Sequence, residues 1–179
     1  EYELARQMLN ESLKYDRDNA YGYELLGDID YLEQKLRNAK DNYQTAYALN
    51  PSSSLKDKIK KLRTETKVER SLHTYRDRNF LIKYHDPKRE KEGFELREQL
   101  RDTYKSISKE FAYYFKRQVV VILYGSDDFQ QITDAPHWVA GLYDGKVRMP
   151  ISRRGYSDLE LKALTQHEVT HAFVAQMSG

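Results

Sequence analysis

In the first third of the chain, apolar positions recur with the period of an α-helix. Residues 20–51 predict two short helices, and in the second of them Ala39, Tyr43 and Ala46 are spaced i, i+4 and i+7 along one face. Pro51 follows at once and cannot continue a helix. The pattern predicts a helical hairpin with a core of small and aromatic side chains.

The flanking residues extend this helical pattern. One period of about 34 residues before Ala39, Tyr43 and Ala46, the chain has Ala5, Leu9 and Ser12, and the polar run 16–19 follows them. This stretch predicts the second helix of a preceding, partial repeat. Residues 54–72 predict a long capping helix whose lysines form a solvated face.

Beyond about residue 75 the pattern changes to strands and one long helix. Residues 79–85 alternate in the manner of a strand, whereas apolar residues over 91–115 step by three and four, as in an amphipathic helix. The β-branched run Val119 to Tyr124 is typical of a buried strand, and a short helix is expected from Ser126.

A hairpin and a last helix complete the order of elements. Residues 139–143 and 146–149 flank Asp144-Gly145, a strong turn signal because both residues tolerate positive φ. Ser157 and Glu160 form the Ser-x-x-Glu capping box of the last helix. The prediction is an α+β fold with a mixed sheet, divided into a helical domain at 1–72 and a second domain at 73–179.

Composition excludes some classes of function. The chain is 39% apolar and 32% charged with a formal net charge of +2, so bulk charge does not indicate a nucleic-acid partner. The longest aliphatic run, Val119 to Leu123, is far shorter than the roughly 20 residues of a membrane span. There are no cysteines, which excludes disulfides and thiolate zinc ligands.

The last helix carries the motif His167-Glu168-Val169-Thr170-His171. Histidines at i and i+4 lie about 40° apart around a helix, so both imidazoles can reach one zinc ion. Glu168 lies about 100° from His167, where it flanks the metal and can take a proton from a water made acidic by zinc. The alternatives are a coincidental pair of core or surface histidines, or a structural zinc site, although such sites want four ligands and usually cysteine.

The helical wheel predicts that the two histidines face inward. The residues on their side are mostly apolar: Ala163, Leu164, Val174 and Met177. Polar residues lie away from them: Lys162, Gln166 and Gln176. Because burying two unpaired imidazoles costs on the order of a few kcal/mol, this placement favours a metal ion that satisfies both.

The front of the chain resembles one tetratricopeptide repeat. The match rests on a large residue, Tyr23, followed by Leu26-Gly27, and then on Ala39, Tyr43, Ala46 and Pro51 at the offsets of that repeat. The small residues let two helices approach closely. The resemblance implies a protein partner bound through the helical repeat. A generic helical hairpin is the alternative.

The second half resembles the N-terminal part of the peptidase MA-like domains, which are gluzincin-type zinc metallopeptidases. The match is carried by three stretches: Val121 to Tyr124 with Phe129, Trp138 to Gly145, and Leu164 to Ala172. The resemblance implies the sheet and active-site helix of a zincin, a zinc cofactor held by His167 and His171, and Glu168 as general base. It also implies a peptide or protein substrate aligned along an edge strand of the hairpin. Our candidate for that edge is Lys146, Val147, Arg148 and Met149.

The chain departs from this family in one respect. Gluzincins take a third zinc ligand from a Glu on a later helix, and here only eight residues follow His171. We therefore expect both ends to be cut, zinc binding to be weak or absent in this fragment, the fragment to be inactive, and the histidine face to be open or covered by a neighbouring molecule. The alternative is a non-catalytic interaction scaffold with a degenerate zincin-like domain. Bacterial members of the family are often extracytoplasmic, which favours that location here.

Overall fold

The structure is a computed structural model that describes residues 2–85, 90–136, 139–151 and 156–178. Its helices, in chain order, are α1 (Tyr2–Tyr15), α2 (Ala20–Leu32), α3 (Leu36–Leu49), α4 (Ser53–Glu69), α5 (Glu90–Phe111), α6 (Ser126–Thr133) and α7 (Asp158–Ser178). Its strands are β1 (Leu72–Arg76), β2 (Phe80–His85), β3 (Val119–Gly125), β4 (Leu142–Tyr143) and β5 (Val147–Ile151). The fold class is α+β with a mixed sheet, as predicted.

The chain divides into two compact units, Glu1–Lys67 and Val68–Gly179. The division precedes the predicted boundary at residue 73, because Val68 and Leu72 already pack against a core of the second unit. Among the described residues, no helix combines the length and the apolar character that a membrane crossing requires.

The first unit is helical, and its predicted stripe is buried. Ala39 and Ala46 are fully buried and Tyr43 is nearly so, and all three belong to one core with Leu55 and Leu62 of α4. Helix α3 ends at Leu49, before Pro51, as its sequence predicts. The expected helix before the hairpin exists as α1, and the capping helix exists as α4 but ends at Glu69 rather than at 72.

The second unit is built on a five-stranded sheet with the order β1-β2-β3-β5-β4. Strands β2, β3 and β5 are parallel to one another, and β1 and β4 are antiparallel additions at the two edges. Strand β1 was not predicted, since residues 72–76 lack a clear alternation of apolar and polar side chains. The apolar residues predicted for strands at 79–85 and 119–124 are found in β2 and β3, two of the three central strands.

Helices cover both faces of this sheet. Alternate residues of β3 point to opposite sides, so Val121 and Leu123 pack with residues of α5 and α7, whereas Ile122 and Tyr124 pack with residues of α6. Helix α5 ends at Phe111, before the predicted end at residue 115, because Ala112 adopts a left-handed conformation with φ 49°. Phe115 nevertheless joins the core on the side of α7, although it lies outside the helix.

The predicted hairpin is present with a shorter first strand. Only Leu142 and Tyr143 of the predicted 139–143 form β4, and Tyr143 pairs with Val147 across the turn. Gly145 has a φ of 93°, which a residue with a side chain rarely adopts. The Asp-Gly signal therefore located the turn correctly.

Candidate metal centre

Helix α7 begins where its sequence predicts. The backbone N–H of Glu160 donates to the Ser157 hydroxyl over 3.3 Å, and the backbone N–H of Ser157 donates to the Glu160 carboxylate over 2.9 Å. This reciprocal pair satisfies two donors at the start of the helix. The capping box is confirmed, and it fixes the start of the helix that carries the motif.

The prediction that the histidines face inward is wrong. The buried stripe of α7 consists of Leu161, Leu164, Thr165, Glu168, Val169, Ala172, Phe173 and Gln176. At roughly 3.6 residues per turn, both histidines lie more than about 100° from the centre of this stripe, and both are exposed. Ala163, Val174 and Met177 are exposed with them, and Gln176 is buried rather than outward. The histidine face is open, which agrees with the other expectation drawn from the sequence.

The two histidines nevertheless converge. Their Nε2 atoms are 3.2 Å apart and their rings stand nearly perpendicular, at 84°. In a tetrahedral site with zinc–nitrogen bonds of about 2.0–2.1 Å, two ligand nitrogens are about 3.3–3.4 Å apart. The observed separation therefore fits two ligands of one zinc ion. It also permits a hydrogen bond between the rings when one Nε2 carries a proton.

Glu168 lies beside the histidines but inside the protein. Its side chain is buried, and its Oε2 atom has no hydrogen-bond partner in the part of the chain that the structure describes. Burial raises the pKa of the Glu168 carboxyl above its ordinary value, and the charges of His167 and His171 oppose this shift. A buried carboxylate without a partner destabilises a fold. Such groups are concentrated at functional sites.

The segment before the hairpin turn touches this site at two points. A Cβ atom on Gly141 would lie 2.6 Å from Oε1 of Glu168 and 2.7 Å from Cδ1 of Leu164, so only glycine leaves space for the carboxylate. The ring of Tyr143 is nearly parallel to that of His171, at 11°, with 6.4 Å between the ring centroids. Both residues belong to the hairpin motif in the sequence, but the motif alone assigns them no contact. Trp138, which precedes them in the motif, is outside the described residues.

The predicted substrate-binding strand is not an edge. Strand β5 pairs with β3 on one side and with β4 on the other, so its backbone is already hydrogen-bonded on both sides. Four residues proposed for this role are fully buried: Lys146, Val147, Arg148 and Met149. The edge next to α7 is instead β4, the first strand of the hairpin. The sequence pattern identified the hairpin but could not indicate which of its strands pairs with β3.

A buried polar cluster holds the hairpin from the opposite face of the sheet, and sequence reasoning missed it. The guanidinium of Arg148 donates from Nε to Asp144 over 2.9 Å and from Nη1 to the Tyr124 hydroxyl over 2.7 Å. Tyr124 in turn donates to Glu69, which also binds Lys83. The spacing of Asp144 and Arg148 across a turn was the available signal. This cluster fixes the turn that carries β4.

The described residues supply two ligands and no more at this site. Within residues 2–85, 90–136, 139–151 and 156–178, no group of three or more His, Cys, Asp or Glu side chains is placed to hold a metal ion. Catalytic zinc sites use three protein ligands and an open position. His167 and His171 thus fit as two of three.

Comparisons with protein-family models, with curated proteins and with solved structures find no match to this chain.

Proposed function

We propose that this chain carries the zinc-binding and proton-accepting part of a metallopeptidase active centre. The observation that supports the proposal best is the combination of two converging imidazoles with a buried carboxylate whose Oε2 atom has no hydrogen-bond partner among the described residues. A coincidental histidine pair on a helix surface would not require a buried glutamate between them. A water bound to zinc at this site would be a hydrogen-bond partner for the Glu168 carboxylate.

Each residue has a distinct role in this proposal. His167 and His171, whose Nε2 atoms are 3.2 Å apart, would hold the metal through these atoms. When bound, zinc supplies a Lewis acid that polarises a carbonyl group and makes a water molecule more acidic. Oε2 of Glu168 would accept a proton from the attacking water and pass that proton on to the leaving amine. The third ligand is contributed by residues other than those that the structure describes.

The edge strand β4 is our candidate for aligning a peptide substrate. A sheet edge offers unpaired backbone groups to which an extended peptide can add as a further strand. Strand β4 is at the edge of the sheet and adjoins α7, so a peptide paired with it would run beside the histidines. This assignment replaces the one made for β5.

The test is a peptidase assay on the longest natural chain that contains these residues. Wild-type protein is compared with Glu168→Gln, and zinc content is measured in both. We expect the Glu168→Gln variant to retain its zinc and to lose about 10²- to 10⁴-fold in kcat, the usual contribution of a general base. Glu110→Gln, an exposed glutamate on α5, is the matched control and should leave kcat unchanged. Equal activity of wild type and Glu168→Gln would remove Glu168 from its assigned role.

Zinc titration of the 179-residue chain tests the ligand assignment separately. Because the described residues supply two imidazoles as ligands, we expect affinity weaker than micromolar and no peptidase activity. Substitution of either histidine by alanine should abolish the binding heat. Submicromolar zinc affinity of the wild-type chain would contradict the incomplete ligand set.

The alternative proposal is an interaction scaffold in which the helical unit binds a protein partner. Several large apolar side chains of that unit are exposed, among them Met8, Tyr15 and Tyr21. The tetratricopeptide-like close approach of α2 and α3 at Gly27 also favours a partner-binding repeat. Absence of both zinc and activity in the longest natural chain would support the scaffold over the enzyme.

A further inference from the structure

The residues just before the hairpin turn contact the site in an alternating pattern. Gly141 lies against the Glu168 carboxylate, and the Tyr143 ring lies nearly parallel to the His171 ring. Leu142, between them, packs with the core on the opposite face of the sheet. Alternation is the rule for extended backbone, so one strand orientation presents positions 141 and 143 to α7 together.

The contact at Tyr143 acts on the exposed side chain of His171. His171 is exposed, and an exposed imidazole samples several rotamers on a fast timescale. The nearly parallel Tyr143 ring, 6.4 Å away between centroids, is within the range of favourable aromatic stacking. Tyr143 is itself partly buried against the core that contains Phe173 and Leu164, so its own position is fixed.

The contact at Gly141 acts on the carboxylate. Its backbone is close enough to Oε1 of Glu168 that an added Cβ would be only 2.6 Å from that atom. Leu164 closes the same space at 2.7 Å. The carboxylate is therefore enclosed between the helix and the backbone of the hairpin, which restricts it to the position beside the histidines.

We propose that Gly141 and Tyr143 are positioning residues, which preorganise the proposed site by confining the Glu168 carboxylate and orienting the His171 ring. The inference rests on the proposed function. It adds that the segment of β4 with Gly141 before it, which would align the substrate, also positions the zinc ligand His171 and the general base Glu168. Preorganisation of this kind reduces the loss of side-chain entropy when a metal ion binds.

The first experiment is made on the metal-free chain and on its zinc complex. Imidazole resonances of His167 and His171 are recorded by NMR, and zinc affinity is measured by titration. We expect Tyr143→Ala to shift and average the His171 signals, to leave those of His167 nearly unchanged, and to weaken zinc binding about two- to tenfold. Tyr143→Phe preserves the ring and should restore both readouts.

Leu142→Ala is the matched control for Tyr143→Ala. It truncates a side chain of the same strand but on the opposite face, so it lowers stability without contact to α7. Wild-type His171 signals and zinc affinity are expected in Leu142→Ala. If Leu142→Ala and Tyr143→Ala have equal effects on the His171 signals, Tyr143 acts only through the stability of the hairpin, and the inference is overturned.

Gly141→Ala tests the other contact. Its methyl group must displace the Glu168 carboxylate, so a crystal structure of the variant should show that side chain rotated away from the histidines, with zinc affinity unchanged. An undisturbed Glu168 would overturn this half of the inference. A different result would contradict the proposed function itself. If His171 is not a zinc ligand, His171→Ala will bind zinc with wild-type affinity.

Discussion

Three polar side chains lie on the buried stripe of α7, and their hydrogen bonds distinguish structure from function. The Thr165 hydroxyl donates to the backbone carbonyl of Leu161 over 2.8 Å. The Gln176 amide accepts from the backbone N–H of Lys116 over 3.1 Å and donates to the carbonyl of Arg117 over 3.1 Å. Of these three side chains, only Glu168 has a buried oxygen, Oε2, without a hydrogen-bond partner among the described residues. At the scale of the residue, this difference makes Glu168 the functional candidate and Gln176 a structural one.

Replacement of Gln176 by leucine should therefore reduce stability. Leucine is similar in size to glutamine, but it leaves two part-buried backbone N–H groups and one carbonyl of residues 116–117 without the amide. A partly buried polar group that loses its hydrogen bond destabilises the fold. We expect the free energy of unfolding to fall by about 1–3 kcal/mol in a urea titration. Gln166→Leu on the same helix is the control, because Gln166 is exposed and its replacement should change stability by about 0.5 kcal/mol or less. Equal losses in the two variants would contradict this account.

At the scale of the element, the ends of some helices and the hairpin turn could be predicted from the sequence, whereas the packing of helices and the pairing of strands could not. Ser157 and Glu160 act within one helical turn, so the start of α7 could be read from the sequence. The orientation of that helix could not, since both its sides carry apolar residues. Thr165 contacts Thr103 of α5, and Gln176 binds the loop after α5, so the burial of these two residues depends on elements distant in the sequence. For the same reason, the sequence located the hairpin but not the strand of it that pairs with β3.

In the helical unit, the residue that α2 can carry at position 27 depends on the neighbouring helix α3. A Cβ on Gly27 would lie 2.5 Å from both Cδ1 and Cε1 of Tyr43. The Tyr43 ring is buried, and its hydroxyl donates to Asp28 over 2.7 Å, so it cannot move aside. Burial, with the negative charge of Asp28, raises the pKa of the Tyr43 hydroxyl far above its ordinary range, which keeps it a donor.

We expect Gly27→Ala to destabilise the helical unit despite the better helix propensity of alanine. Overpacking costs about 1–3 kcal/mol, and propensity offsets about 1 kcal/mol of this. Gly22→Ala in the same helix is the control, because its nearest neighbour is the flexible end of Leu13 at 3.1 Å. That variant should be neutral or slightly more stable in denaturant unfolding followed by circular dichroism. A Gly27→Ala protein as stable as Gly22→Ala would show that the close approach is not required.

At the scale of the whole molecule, the proposed zinc site belongs to one compact unit. His167 and His171 are in the unit Val68–Gly179, and residues Glu1–Lys67 form a separate unit with its own core. A ligand that binds only the folded state stabilises what it binds. Zinc is therefore expected to stabilise the second unit selectively, and hydrogen exchange can measure this because it reports on each segment of the chain.

Hydrogen exchange is measured without zinc and at a free zinc concentration about 100 times the dissociation constant. Opening of the second unit should become less favourable by about 2.7 kcal/mol, or less if the unfolded histidines also bind zinc. Amides of residues 2–67 should exchange at unchanged rates. His171→Ala should remove the effect, whereas His73→Ala, an exposed histidine of the same unit, should retain it. Equal protection in both units would mean that they unfold together, and protection that persists in His171→Ala would place the metal elsewhere.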